Sequence, residues 1–307
     1  MIHGFHRFRL LGSRPGARGE TLRAGFQLGL AMALVGANVV AGRVLAQALP
    51  IPLILFLRCL LASVVVAPFA GVAAPGLIPS GRMLVSLVLQ AATGTLLYNT
   101  ALLAGLRRTG ALEAGLVLSS LPAVVAIGAF LLLGERFDRR RWLAALLAAG
   151  ALVSLTLGRF GGAGGGSLAG NALVFLGVCG EGSYVLLTKR MPEQIGVERT
   201  TFWMQVFSTL LLLPLAAPFL TAAGFAGMTW PIALLLVFHG LTASVLSPLL
   251  WYRGIRHVPA SVAGVFTTLL PATTALLAVL FLGEALTTGH LLGFALMLAS
   301  ILLATLS

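Results

Sequence analysis

Two stretches of the chain decide its fold: ALEAGLVLSSLPAVVAIGAFLLLGE at 111–135 and ASVAGVFTTLLPATTALLAVLFLGE at 260–284. Each is apolar over a length that suits a membrane-spanning helix, which needs about 20 residues. Both place Ala, Gly, Leu-Pro and Gly-Glu at the same spacing, so the second stretch repeats the first 149 positions later. Apolar composition alone does not explain matched glycine, proline and glutamate. The chain is therefore predicted to contain two homologous halves.

The composition is that of a protein surrounded by lipid. Of the 307 residues, 59% are hydrophobic and only 9% are charged, whereas soluble domains carry about 45–50% apolar and about 25% charged residues. The net charge of +12 could indicate nucleic-acid binding, but the basic residues lie between apolar runs and not on one amphipathic element. We therefore expect the lipid bilayer, and no nucleic acid, as a partner.

Ten apolar runs are predicted to cross the membrane as helices, because backbone groups in hydrocarbon must be paired within their own segment. They cover residues 24–46, 51–73, 83–105, 111–133, 141–158, 168–189, 200–221, 231–252, 260–282 and 288–306. The first run ends near Ala46-Gln47-Ala48, which resembles a signal-peptidase site. It is longer than the about 7–15 apolar residues of a secretory leader, so we expect it to be retained.

The predicted fold class is an all-α integral membrane protein with ten helices in a 5+5 inverted repeat. The chain divides into a cytoplasmic basic tail (1–23), a first five-helix repeat (24–158), a Gly-rich linker (159–167) and a second five-helix repeat (168–307). An odd number of spans per half gives the copies opposite orientations, a plan typical of secondary transporters with a site near the midplane. Most Lys and Arg residues fall in the tail and loops on the side of the membrane that holds the N-terminus. Both termini are therefore expected to be cytoplasmic.

Glu181 is the first candidate for a functional residue, because an acid in the middle of an apolar helix is costly. It shares one helix face with Gly177 and Tyr184. It either exchanges a proton during transport or forms a buried salt bridge that only fixes packing. Arg58, in the second span, is its expected partner. Arg58 either binds a substrate carboxylate bidentately or pairs structurally with Glu181 or with carbonyl groups.

Other polar side chains on the predicted helices outline a cavity with few formal charges. The candidates for its lining are Asn38, Gln90, Tyr98, Trp203 and His239. Each of these residues also has an explanation that involves no role in transport. Amides and hydroxyls bond across membrane helices, tryptophan anchors at the lipid interface, and a histidine without a nearby carboxylate is weak evidence for a proton relay.

Pro122 and Pro271 interrupt the predicted fourth and ninth helices at matched positions. Proline removes a backbone donor and leaves a carbonyl free. Paired interruptions in corresponding helices are typical of a transport site. They are equally explained as kinks that let the two halves fit together.

Motifs of enzymes and metal sites are missing from the sequence. The glycines at 161–166 lack the lysine of a phosphate loop, and no catalytic triad, metal-ligand spacing or dinucleotide fingerprint occurs. We therefore expect no enzymatic activity, no metal and no cofactor. Gly134-Glu135 and Gly283-Glu284 are expected to end or cap helices, and Arg43 is expected to extend its charge to the membrane surface.

These motifs resemble those of the EamA-domain proteins of the drug/metabolite transporter superfamily, in its ten-helix bacterial branch. The residues that carry the resemblance over 24–306 are Gly36-Ala37-Asn38, Arg58, Tyr98-Asn99, Leu121-Pro122, Leu133-Gly134-Glu135, Leu270-Pro271 and Leu282-Gly283-Glu284. Two positions depart from the pattern. Val35 replaces the usual tryptophan before Gly36, and Glu181 stands where many relatives have an aromatic or small residue, so site details are not carried over there.

The resemblance implies an inner-membrane exporter of amino acids, metabolites or toxic amphiphiles, driven by a proton gradient or simply facilitating efflux. We predict a secondary transporter that exports amino acids or related small metabolites by alternating access. One alternative is a facilitator or uptake carrier for another metabolite such as a nucleotide-sugar, although few cations inside the membrane disfavour a polyphosphate. Outside transport, the alternative is an intramembrane enzyme or a sensor. Whether the protein forms a homodimer stays open.

Overall fold

All regular structure in the described part of the chain is helical. The computed structural model describes residues 15–71, 81–133, 139–157, 167–189, 196–255, 257–258 and 265–305. The helices of the first half are α1 (Pro15–Ala48), α2 (Ile51–Val66), α3 (Gly81–Gln90), α4 (Tyr98–Leu106), α5 (Ala111–Leu118), α6 (Leu121–Leu133) and α7 (Arg139–Leu157). Those of the second half are α8 (Leu168–Lys189), α9 (Val197–Ala216), α10 (Trp230–Leu241), α11 (Ser247–Ile255), α12 (Leu269–Leu282) and α13 (Thr288–Thr305).

The lengths and surfaces of these helices are those of a multi-pass membrane protein. Within the described residues, six helical segments are long and apolar enough to cross a membrane, and four shorter apolar helices accompany them. Large apolar side chains point outward, such as Leu131 at 69% exposure and Phe281 at 74%. Soluble proteins rarely expose such faces to water, whereas hydrocarbon covers them without cost. The structure therefore agrees with the composition.

Two long segments contain a π-helical stretch at equivalent positions. Ala91–Leu97 joins α3 to α4, and Thr242–Leu246 joins α10 to α11. The two stretches end 149 positions apart, the offset that relates the sequence repeats. A π turn is wider than an α turn and is frequently found at functional sites. The spans predicted at 83–105 and 231–252 did not include this irregularity.

Other differences from the predicted spans concern helix ends. α1 begins at Pro15, where proline suits the first helical turn, so it takes in part of the predicted tail. The predicted fourth span is divided at Ser119 and Ser120 into α5 and α6. The Gly-rich segment 161–166 and Glu135 lie outside the described residues.

Helices of one half pack mainly on helices of the other. α1 lies against α11 and α12, α8 against α4, α5 and α6, α2 against α9, and α7 against α13. Glycines permit two of these approaches. A Cβ on Gly105 would lie 2.7 Å from the carbonyl oxygen of Gly170, and one on Gly254 would lie 2.8 Å from Cγ of Leu28. Close backbone packing of this kind stabilises helix pairs in lipid, where burial of apolar side chains adds little.

Candidate functional site

A buried polar group lies where α2, α4 and α10 meet, and Arg58 is at its centre. Arg58 is only 5% exposed, and its Nη1 donates to Oδ1 of Asn99 at 2.9 Å. The same Nη1 lies 3.4 Å from Nε2 of His239. The Nε of Arg58 is buried without a hydrogen-bond partner among the described residues. Because a guanidinium stays charged in proteins, the site holds a permanent cation with a donor to spare.

α1 completes this group through Asn38. The Oδ1 of Asn38 lies 2.9 Å from Nδ1 of His239 and accepts a hydrogen bond from Thr242 Oγ1 at 3.0 Å. An amide oxygen only accepts, so the proton of His239 sits on Nδ1 and leaves Nε2 as the acceptor for Arg58. This geometry holds His239 neutral and in one tautomer. Together these side chains form the Arg58 cluster: Arg58, Asn99, His239, Asn38 and Thr242.

The π-helical stretches position two members of the Arg58 cluster. Asn99 follows the stretch Ala91–Leu97, and its Nδ2 donates back to the carbonyl of Thr95 at 3.1 Å. Thr242 opens the second stretch, and its single hydroxyl proton is shared between Asn38 Oδ1 and the carbonyl of Phe238, which lies 2.6 Å from Oγ1. Backbone groups inside apolar spans need such partners wherever the regular helical ladder changes. The irregular turns and the polar side chains therefore stabilise one another.

Glu181 faces the Arg58 cluster from α8 without touching it. The side chain is half-buried and interacts electrostatically with Arg58 and Tyr98. It forms no salt bridge with any residue in the described ranges. α8 approaches closely because a Cβ on Gly177 would lie only 3.0 Å from the carbonyl oxygen of Tyr98. Glu181 and Arg58 thus lie in one region of the interior without forming an ion pair.

Gln90 belongs to a second polar group, between α3 and α8. It is fully buried. Its Oε1 accepts from Thr188 Oγ1 at 3.0 Å, and its Nε2 donates to Ser86 Oγ at 3.1 Å. On the same side of α8, the hydroxyl of Tyr184 lies 3.5 Å from that of Tyr252. Gln90 thus joins the two halves by a hydrogen bond between neutral groups.

Trp203 lies in an aromatic group on α9. Its ring centroid is 5.5 Å from that of Phe202, edge to face, and 5.4 Å from that of Phe207, stacked. On the same helix, Gln205 donates from Nε2 to the carbonyl of Ser244 in the second π stretch at 3.3 Å. Ring contacts of this geometry are favourable beyond the area that they bury, so they hold Trp203 in place.

Pro122 and Pro271 follow breaks in the two matched helices. Pro122 is the second residue of α6, after the turn at Ser119 and Ser120, and Pro271 is the third residue of α12, after a turn at 267–268. The two serine hydroxyls donate to carbonyls of α5 at 2.8 Å and 2.7 Å. They add to the backbone N–H groups of Ser119 and Ser120, which donate to the same carbonyls.

Charged residues at one end of the bundle make contacts that the sequence did not predict. The Nε of Arg43 lies 3.4 Å from Oε1 of Glu284, a contact that the expectation for Arg43 did not include. Glu284 acts as a helix cap, but for α5 of the other half. Glu113 pairs with His290 at 3.6 Å. No spacing pattern in the sequence reveals such pairs, because their members come from separate halves. Within the described residues, no three His, Cys, Asp or Glu side chains form a metal-binding group.

Comparison with known families accounts for the duplicated arrangement. The model of the EamA-like transporter family matches the chain twice, over residues 24–157 and 168–306. The chain belongs to the EamA-like transporter family. The resemblance inferred from the Leu-Pro and Gly-Glu motifs is thereby confirmed, and the protein is a multi-pass membrane transporter with two homologous repeats.

This EamA-like transporter also resembles individual proteins over most of its length. A protein of Bacillus subtilis strain 168, named as the uncharacterized transporter YetK, is 30% identical over 280 residues, which cover 89% of this chain and 84% of the relative. A solved crystal structure of another protein covers 96% of this chain and 98% of its own, with a TM-score of 0.63 and 21% identity. At that identity the likeness shows the fold alone.

Proposed function

We propose that this EamA-like transporter is a secondary transporter with ten spans, in which the repeats 24–158 and 168–307 have opposite orientations. The six long and four shorter apolar helices supply ten candidate spans. Five spans in each repeat would make equivalent helices antiparallel. The packing supports this arrangement. α1 lies on α11 and α12, and its equivalent α8 lies on their equivalents α4 and α6.

The observation that carries the function is the Arg58 cluster with its unpaired donor. It joins α1, α2 and α4 of the first repeat to α10 of the second. A charged side chain at the centre of a membrane helix costs about 2.5–3.5 kcal/mol or more, so it marks a solute or ion pathway by default. The free Nε of Arg58 suits a carboxylate oxygen.

Glu181 supplies the opposite charge in the same interior region. A small solute with one carboxylate and one ammonium group matches both residues, with the carboxylate toward Arg58 and the ammonium toward Glu181. Amino acids and related small metabolites have this pair of groups. Export would follow from alternating access, in which the repeats rock around the Arg58 cluster. The excess of Lys and Arg on the N-terminal side supports an inner-membrane protein with both termini in the cytoplasm.

An export screen with a matched variant tests this function. Cells that overproduce the protein are loaded with amino acids, amino-acid analogues or cationic dyes, and the internal amount of each is followed. We expect one solute class to be depleted by the wild type and not by Arg58→Gln, because the variant loses the permanent cation. Arg82→Gln, which changes an exposed arginine at the start of α3, is the control. Depletion of no class, or equal depletion by Arg58→Gln, contradicts the proposal.

Proton coupling through Glu181 is tested separately. Glu181→Gln keeps the shape of the side chain and removes its titratable proton. In proteoliposomes with an imposed pH gradient, we expect the variant to lose the gradient-driven part of the flux and to keep exchange without a gradient. The control is Glu198→Gln, an acid in the first turn of α9. Unchanged coupling in Glu181→Gln eliminates the proposed role.

A further inference from the structure

The carboxylate of Glu284, just after α12, makes its described hydrogen bonds and ion pair with the first repeat. Its Oε1 accepts the backbone N–H of Ala111 at 2.8 Å, and its Oε2 accepts that of Leu112 at 2.9 Å. Its Oε1 also lies 3.4 Å from Nε of Arg43. Glu284 belongs to the second repeat, whereas Arg43 and α5 belong to the first. A single carboxylate therefore connects the two repeats at this end of the bundle.

The binding site for this carboxylate is built by the first repeat alone. Arg43 Nη1 donates to the carbonyl of Leu106 at 3.3 Å and to that of Thr109. These bonds hold the guanidinium in place whether or not Glu284 is present. The first N–H groups of α5 have no acceptor within their own helix and carry a partial positive charge. The two features together make a receptor for an anion that needs no rearrangement when the anion leaves.

Two neighbouring residues complete the contact. A Cβ on Gly110 would meet the carboxylate of Glu113 and would lie 2.9 Å from Oε2 of Glu284, so glycine leaves room for both carboxylates in their observed positions. In the first turn of α5, Oε1 of Glu113 lies 3.6 Å from Nε2 of His290 on α13. α5 is thus attached to the α12–α13 region by a second pair between the repeats.

We propose that Glu284, Arg43 and the first turn of α5 form a latch that closes one end of the transport pathway and opens once in each cycle. The inference rests on the proposed alternating access, since only a moving pair of repeats needs a releasable contact. The side chains of Arg43 and Glu284 are 25% and 15% exposed. Water can therefore replace their contacts as they separate, whereas a fully buried pair would leave uncompensated charges.

Distances between spin labels across the latch test the proposal without any solute. Labels are placed on Arg108→Cys and Leu286→Cys, two exposed positions on the first and second repeats, in a chain with Cys59→Ala and Cys179→Ala. Pulsed electron–electron double resonance in lipid then measures the distribution of distances between the two labels. The intact latch is expected to give mainly one short distance. Glu284→Gln should add a longer one and raise the long-to-short ratio about tenfold, as expected for a partly exposed ion pair.

Two substitutions of Arg43 separate charge from structure. Arg43→Gln should shift the distribution as Glu284→Gln does, and Arg43→Lys should stay close to the wild type because it keeps the positive charge. Glu198→Gln, at the N-terminus of α9, should change nothing. A contact that is only structural would lower thermal stability without creating a second discrete distance. If Glu284→Gln does not fold, as judged by size exclusion, Arg43→Gln carries the test.

The outcomes distinguish the latch from the transport proposal. Wild-type distances in the Gln variants that fold overturn the latch, even if the export screen succeeds. A shift in Arg43→Lys as large as in Arg43→Gln also overturns it, because charge would then not hold the contact. A second distance in the Gln variants supports the latch even if the screened solutes are not exported, in which case the proposed solute class alone is wrong.

Discussion

The two repeats have the same irregular turn in the backbone but carry different polar side chains beside it. Each carries a π-helical stretch at the equivalent place in its third span. In the first repeat Gln90 precedes that stretch and bonds to the neutral hydroxyl of Thr188. Its equivalent in the second repeat, 149 positions later, is His239, which accepts from Arg58. Both repeats thus keep the irregular turn, but the residue before it differs: Gln90 bonds to a neutral hydroxyl, whereas His239 bonds to a cation.

The two repeats also differ at the position of the buried cation, Arg58. The same shift of 149 positions places Phe207 opposite Arg58, and the ring of Phe207 stacks on Trp203 with centroids 5.4 Å apart. Two guanidinium groups in one interior site would repel each other strongly at low dielectric. A duplicated fold can therefore hold a cation from one repeat only, and the other repeat supplies an apolar surface. The asymmetry indicates that the site, unlike the fold, is not a product of duplication alone.

The largest expected effect comes from removing the charge that only one repeat carries. Arg58→Leu should lower the solute flux at least about tenfold, because it removes the cation and leaves the buried side chains of Asn99 and His239 without their donor. Phe207→Leu, at the equivalent position, should stay within about threefold, since it exchanges one apolar side chain for another. Initial rates in proteoliposomes measure both. Equal losses would show that the repeats contribute alike.

An intermediate effect is expected at two glycines where helices of the two repeats approach closely. Gly105→Ala would place a Cβ 2.7 Å from the carbonyl oxygen of Gly170, a backbone atom that cannot turn aside. Gly254→Ala would first meet Leu28, a side chain that can change rotamer. We expect Gly105→Ala to cost about 1–3 kcal/mol of stability and Gly254→Ala to cost less. Thermal unfolding in detergent ranks the two variants, and the reverse order would refute this account of the packing.

The smallest effect is expected from making the second repeat more like the first. His239→Gln offers an acceptor to Arg58 and a donor to Asn38, so it should cost only about 0.5–1.5 kcal/mol of stability. Because the hydrogen bonds hold His239 neutral, the pH profile of flux between about pH 5 and 8 should be the same in the variant. A pH step that disappears in His239→Gln would instead make this residue a proton carrier.

The sequence was sufficient for features that repeat along the chain. The matched Leu-Pro and Gly-Glu pairs predicted homologous halves and the family, both confirmed by the double match over 24–157 and 168–306. Continuous apolar runs predicted helices, because lipid leaves the backbone little choice. The two π stretches were not predictable in this way. They depend on partners such as Asn99, whose side chain takes up a carbonyl that an α turn would pair internally.

The contacts between the two halves are the part of the site that could not be predicted from the sequence. Arg58 was expected either to bind a substrate carboxylate or to pair with Glu181 or with carbonyl groups. The structure places Asn99 and His239 against Arg58 and leaves Glu181 apart, so its role in transport remains a prediction. Arg43 was expected to extend its charge to the membrane surface, and its contact with Glu284, which lies far away in the sequence, was not predicted. The sequence predicts which side chains are charged and which helix carries them. Helix packing decides which residues, distant in the sequence, become their partners.

The π stretch Ala91–Leu97 makes chain length as important as residue type in this span. Deletion of one residue there would permit an ordinary α-helix of almost the same length, still apolar enough for the bilayer. Because a π turn accommodates one extra residue, every later side chain would keep nearly its present direction, and Asn99 would still face Arg58. Straightening the stretch without a deletion would instead turn every later side chain by about 100° around the helix axis and take Asn99 away from Arg58. A one-residue gap in this segment is therefore expected to mark a homologue with an ordinary helix and the same polar side chains in its cavity.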